Sequence, residues 1–144
     1  LDPNTRTPEA MKGRVYSREA GDRVYGRLLV AAETAAANGL PIILDGAYLA
    51  PARREPVRRL GKHLGVPVVV LACEADEATL RRRVAGRARA GGDASDAGPE
   101  VLERQLATHE RLPADELAVA VDTTRPLDPR NIAIRLRQRA RRAD

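Results

Sequence analysis

Apolar positions recur at intervals of three and four from Val24 onward: Val24, Tyr25, Leu28, Leu29, Ala32, Ala35 and Ala36. That spacing lays one apolar stripe along an α-helix. Ser17 suits its N-cap and Asn38-Gly39 its stop, so the first predicted element is a long amphipathic helix between them. Ile42, Ile43 and Leu44, opened by Pro41 and closed by Asp45-Gly46, predict a short parallel strand buried on both faces. Residues 52–64 read as a helix ended by Gly65, with Pro56 tolerable only in the first turn. A second apolar strand is predicted at 67–73, followed by a helix that Asp76 caps and that runs to about Ala90. Residues 91–98 are a Gly-rich acidic loop, Pro99 opens a helix to about Glu110, 118–121 form a third short strand, and Asp128-Pro129 caps a last helix. Strands alternating with helices imply an α/β domain, a parallel sheet with flanking helices. Residues 1–16, with Pro3, Pro8 and Gly13, show little periodicity and are expected to be an irregular lead-in.

Composition narrows this picture. At 144 residues the chain suits one domain, 1–144. Ala accounts for 25 residues and Val, Leu and Ile together for only 32, with no Phe, no Trp and three Tyr. The core must therefore be aliphatic and thin, and aromatic platforms for single-stranded nucleic acid are nearly absent. The net charge of +5 is local: residues 130–142 carry six Arg and no acid, while the rest has 19 basic against 20 acidic side chains. A globally basic nucleic-acid binder is not implied. One cysteine excludes an intramolecular disulfide, no Cys or His pair has metal-ligand spacing, and a cytoplasmic location is expected. The strongest apolar run, 68–73, is far shorter than the roughly 20 residues of a membrane span, and no membrane association is expected. The chain opens on Leu1 rather than Met, so it is expected to be part of something longer.

Two features carry candidate chemistry. Asp45 follows three large aliphatics, which places its carboxylate at the strand end, where α/β sheets bind ligands. There it can hold Mg²⁺ through water or accept a proton from a substrate hydroxyl in phosphoryl transfer; the plainer alternative is a cap of the next turn. The second feature is the Arg-rich helix around 80–89. With Leu80, Val84 and Ala88 as its inward stripe, Arg83 and Arg87 fall on the stripe's edge, while Arg82 and Arg89 point nearly opposite. Two guanidiniums beside a loop can clamp polyphosphate; a solvated Arg-rich helix is the competing reading. His63, His109, Asp93 and Asp96 read as surface residues, and Tyr25 and Cys73 as core. Tyr48, three residues after Asp45, reads equally as a substrate contact or a loop anchor.

In order and spacing these elements resemble the small P-loop kinases of the nucleotide-kinase and gluconate-kinase type. The resemblance is greatest to the predicted-kinase, AAA-like ATP-binding domain often fused to aminoglycoside phosphotransferase-like domains. The matching pieces are Tyr16-Ser17, the 42–49 run, 58–66 leading into 68–73, Glu74 to Asp76, the 81–89 helix, 91–96, 101–106 and Val121 to Thr123. The resemblance implies ATP and Mg²⁺ as cofactors and Asp45 as the acid serving substrate or magnesium through water. It also implies Arg83 and Arg87 as lid arginines, 76–98 as a lid-like helix and loop, and Thr123, Arg125 and Pro126 as the stretch passing the adenine. Residues 129–144 remain a basic C-terminal helix, expected to dock by its Ile132, Leu136 and Ala140 stripe.

The departure from that family is the phosphate cradle. Its pattern is G-x-x-x-x-G-K-[ST], whose backbone N–H groups wrap phosphates while Lys reaches across them. The one Gly-Lys pair here, Gly61-Lys62, is followed by His63 and preceded five positions earlier by Pro56. The N-terminal strand, P-loop and helix unit is therefore missing, and its strand belongs between 42–45 and 68–73. The expected partner is the missing N-terminal segment or another chain. The rival to a kinase acting on a small-molecule hydroxyl is a degenerate, non-catalytic P-loop-like module that binds RNA or a protein through its Arg-rich helices. On the kinase reading, the 144 residues alone bind ATP poorly and turn over none. Calorimetry on the isolated chain tests this, and micromolar ATP affinity without an added segment would overturn it.

Overall fold

A computed structural model describes residues 17–90 and 98–142. The sequence expectations for 1–16 and 91–97, including Asp93 and Asp96, lie outside the described residues. The elements run α1 (Arg18–Ala37), α2 (Pro51–Leu64), β1 (Val70–Glu74), α3 (Glu77–Ala90), α4 (Pro99–Thr108), β2 (Ala118–Asp122) and α5 (Pro129–Ala140). The helix ends are set by local chemistry. Ser17 Oγ accepts from Ala20 N–H at 3.1 Å, and α1 is closed by the Asn38 N–H donating to Ala35 O and the Gly39 N–H to Ala36 O, with Gly39 taking the left-handed φ of 74°. Gly65, at φ 65°, ends α2, and Asp128 Oδ1 accepts from the N–H groups of Arg130 and Asn131 to start α5.

Pro56 departs from expectation. It lies inside α2 beyond the first turn and so removes one N–H from the helical ladder. Ala52, whose carbonyl loses that donor, and Pro56 itself are both exposed, which leaves the freed carbonyl to water.

β1 and β2 pair in parallel, with Val70 opposite Ala118 and Glu74 opposite Asp122; α3 and α4 make the crossover. Helix α5 packs on β2, α3 on α4, and α1 on α2. The apolar core is as thin as the composition requires: Val119 and Val121 of β2, Val84 of α3, Leu102 of α4 and Ala32 of α1 are the buried apolar side chains among the described residues.

The expected strand at 41–45 does not form. The segment is irregular and pairs with no strand among the described residues, Ile43 is 93% exposed, and Asp45 is exposed. The reason is the ladder. Among the described residues β1 gives one edge to β2 and has no partner on the other, and 42–45 does not close onto it. Among the described residues no strand lies between these two runs, so neither finds a neighbour there. Cys73, expected in the core, is exposed on this open β1, as is Leu71.

Candidate functional site

The carboxyl ends of β1 and β2 carry one network of polar side chains. Beyond β2 the chain turns, and Thr123 continues the ladder: its N–H donates to Glu74 O at 2.8 Å and its hydroxyl to the same carbonyl at 2.9 Å. Asp122 then folds the turn back, accepting from Thr124 N–H at 2.9 Å and Thr124 Oγ1 at 2.6 Å, with Arg125 Nε 3.3 Å from its other oxygen. The Thr124 hydroxyl and N–H hold the Asp122 carboxyl below the usual aspartate range. Beyond β1, Asp76 caps α3 through Thr79, accepting from its N–H and its hydroxyl at 2.8 Å each. Those two bonds likewise lower the Asp76 carboxyl.

Arg83 crosses from α3 to this corner. Its Nη1 donates to Thr123 Oγ1 at 2.9 Å and its Nη2 to Thr123 O at 2.5 Å. Arg82 stays on its own helix, donating to Thr79 Oγ1 at 3.2 Å, and Arg89 donates to Ala85 O at 3.3 Å. Arg83 and Arg87 line one side of a cleft of about 490 Å³ between α3 and α4, with Leu80, Val84, Leu102 and Gln105 as its other walls. Arg83 and Thr123 therefore meet. Arg125 is held at the same turn, and Pro126 comes next, exposed.

Asp45 stands apart from that corner: no contact among the described residues joins it to Arg83 or Thr123. The loop after it turns tightly, Tyr48 N–H donating to Gly46 O at 2.9 Å and Leu49 N–H to Ala47 O at 2.8 Å. Tyr48 meets Tyr25 of α1 edge-to-face at 4.9 Å, and Arg53 lies 4.7 Å over the Tyr25 ring while pairing with Asp22 at 2.5 Å. Burial pushes the Tyr48 hydroxyl pKa up. The loop is fastened by Arg54, which donates from Nη1 to Tyr48 O and Leu49 O at 2.8 Å each, and from Nε to Glu116 Oε2 at 2.7 Å.

Sequence reasoning missed Arg54 and Glu116. The signal was present: Arg54, Val57, Gly61 and Leu64 keep helical spacing, so Arg54 holds the inward phase of α2. His63 and His109 are on the surface.

The one Gly-Lys pair does not form a phosphate cradle of backbone N–H groups. Gly61 of the one Gly-Lys pair is buried in the last turns of α2, where a Cβ would overlap Val68 and lie 2.9 Å from Val66 O. That glycine serves the close passage of the chain entering β1. For a cation, no group of three His, Cys, Asp or Glu side chains forms among the described residues. A single carboxylate meets Mg²⁺ through the waters that ion retains.

The family model of the AAA domain, AAA_33, matches residues 3–112. The chain belongs to that family. AAA_33 is a family of P-loop NTPase and kinase-like domains, and the mixed α/β architecture with its parallel sheet is a P-loop kinase-like fold. Members generally bind ATP and Mg²⁺, so nucleotide-binding, kinase-like function is the family's coarse assignment. No curated protein and no solved structure matches the chain. No helix among the described residues of this AAA domain is long and apolar enough to cross a membrane.

The lowered Asp76 and Asp122 carboxyls make the corner acid-labile. A carboxyl depressed on folding stabilises the fold above its unfolded value, about 3.9, and that contribution is lost as pH falls through the folded value. Helix content measured by circular dichroism from pH 6 to 2 should decline below about pH 4. Asp76→Asn keeps the capping oxygen but cannot titrate, so its acid limb should be shallower. An acid limb identical to wild type would show that Asp76 plays no part in it.

Proposed function

We propose that these residues form the lid and acceptor side of an ATP-dependent phosphotransferase acting on a hydroxyl of a small molecule. The observation that carries this reading is the bond pair from Arg83 to Thr123. It brings an arginine of the crossover helix to the carboxyl end of the sheet, the place where open α/β sheets take ligands. Arg83 now donates to a neutral hydroxyl and a neutral carbonyl. Bonds to ionised phosphate oxygens are roughly twice as strong, so a polyphosphate competes well for this side chain, and Arg87 stands one turn further along the same cleft. Thr123, Arg125 and Pro126 flank the base. Asp45, exposed at the head of its loop, holds Mg²⁺ through water or takes the acceptor's proton.

In this reading the backbone cradle comes from a strand and Gly-rich loop outside the 144 residues, in the same polypeptide or another chain. The edge of β1 and the 42–45 run, neither paired there among the described residues, offer that strand two neighbours, as unpaired edges do. Without it the chain is inactive. The reading includes neither membrane nor nucleic acid, and a cytoplasmic location suits the single cysteine.

Kinetics on the full-length protein test it. Asp45→Asn should lower kcat by at least about a hundredfold, the lower end of what a general base contributes, with folding little changed. A normally folded variant working at near wild-type rate would reduce Asp45 to a turn cap. Arg83→Ala should cost about 10³ in kcat. Arg82→Ala, which removes only a bond within its own helix, should cost within about 0.5 kcal/mol of stability and leave turnover intact. Equal losses in the two arginine variants would mean the lid assignment is wrong.

A further inference from the structure

Helix α2 packs along α1, yet it is tied to the entrance of β2 by charged side chains. Arg54 Nε donates to Glu116 Oε2 at 2.7 Å, and Arg58 Nη2 donates to Asp115 Oδ2 at 2.8 Å. The first pair is buried, with Arg54 3% and Glu116 4% exposed; Arg58 keeps a third of its side-chain surface in water. The same Arg54 guanidinium reaches backward to the carbonyls of Tyr48 and Leu49. One planar group thus joins three pieces of chain: the helix it grows from, the loop that begins at Asp45, and the turn that feeds β2. Its Nη2 is buried with no hydrogen-bond partner among the described residues. A residue kept for stability alone would not leave such a donor unmet, because an apolar side chain of like volume often serves as well as a buried ion pair. What an apolar side chain cannot do is aim bonds at two carbonyls and a carboxylate at once.

We propose that Arg54, held by Glu116, is a positioning residue that sets the 46–50 loop, and Asp45 with it, at a fixed place relative to the sheet. It touches neither substrate nor cofactor and acts through Asp45; its bearing on catalysis rests on the phosphotransferase reading, while its hold on the loop does not. The guanidinium's shape is the working part. Lysine preserves the charge that Glu116 needs but has no fixed fork of donors.

Hydrogen exchange on the chain itself separates shape from charge. In Arg54→Lys, exchange in the 46–50 segment should rise at least tenfold while the β1 amides of Leu71 to Cys73 stay at wild-type protection. Unchanged protection of 46–50 in the lysine variant would show that charge alone suffices and would overturn the proposal. Equal acceleration in both segments would show a general prop of stability and would also overturn it. Should the lysine variant fail to fold, Glu116→Gln, which keeps the shape of the acceptor, is read by the same two criteria. In the full-length protein, Arg54→Lys should lower kcat tenfold or more with the nucleotide KM unchanged, and an equal change in both would count against positioning. If Asp45→Asn proves harmless while the loop still loosens in Arg54→Lys, the catalytic reading fails and the loop assignment stands.

Discussion

The buried pair of Arg54 and Glu116 is the constraint on which the placement of the other parts depends. The aliphatic core is too thin to fix α1, α2 and the sheet to one another by packing alone, and no large side chain is fully buried among the described residues. Directional bonds take over that work. A buried ion pair adds little net stability over an apolar replacement, because desolvating two charges offsets most of their attraction, yet removing one partner strands the other. Its contribution here is geometric: it makes the loop after Asp45 and the start of β2 parts of one arrangement. Gly61 makes a second, steric joint, letting the chain at Val66 and Val68 pass against α2 where any side chain would obstruct it. Between them, one polar joint and one close passage set the loop after Asp45 relative to the strands.

Among the described residues such a joint has no counterpart at the opposite edge of β1, which has no strand partner there. Leu71 at 42% and Ile42 at 38% exposed are residues whose composition suits a sheet interior. An apolar β-branched run becomes a strand only when a ladder partner meets its N–H and C=O groups, so propensity at 42–45 without a neighbour yields irregular chain. That segment and the free edge of β1 are two observations with one physical origin. Sites at the carboxyl ends of a parallel sheet inherit this dependence: the corner at Thr123 is organised because β1 and β2 pair, and Asp45 is exposed because its own run does not.

What the sequence disclosed divides along the same line. Ser17, Gly65, Asp76 and Asp128 were legible because each cap closes a bond within a few residues of itself, and hydrophobic periodicity located the helices between them. The phase of α3 was legible in its first turns, where Val84 is buried and Leu80 half-buried, though Ala88, expected on the same stripe, is exposed; Arg83 alone of Arg82, Arg83 and Arg89 bonds across to another element. Its partner was not legible, because Thr123 lies 40 residues on and nothing local points to it. The 62-residue span from Arg54 to Glu116 hid that pair in the same way, although the helical phase of Arg54 already set it among inward-facing positions. An arginine at a core phase is therefore informative in itself: in a chain with so little apolar volume, it marks the place where a carboxylate from a distant segment is needed, and with it the contact that local patterning cannot supply.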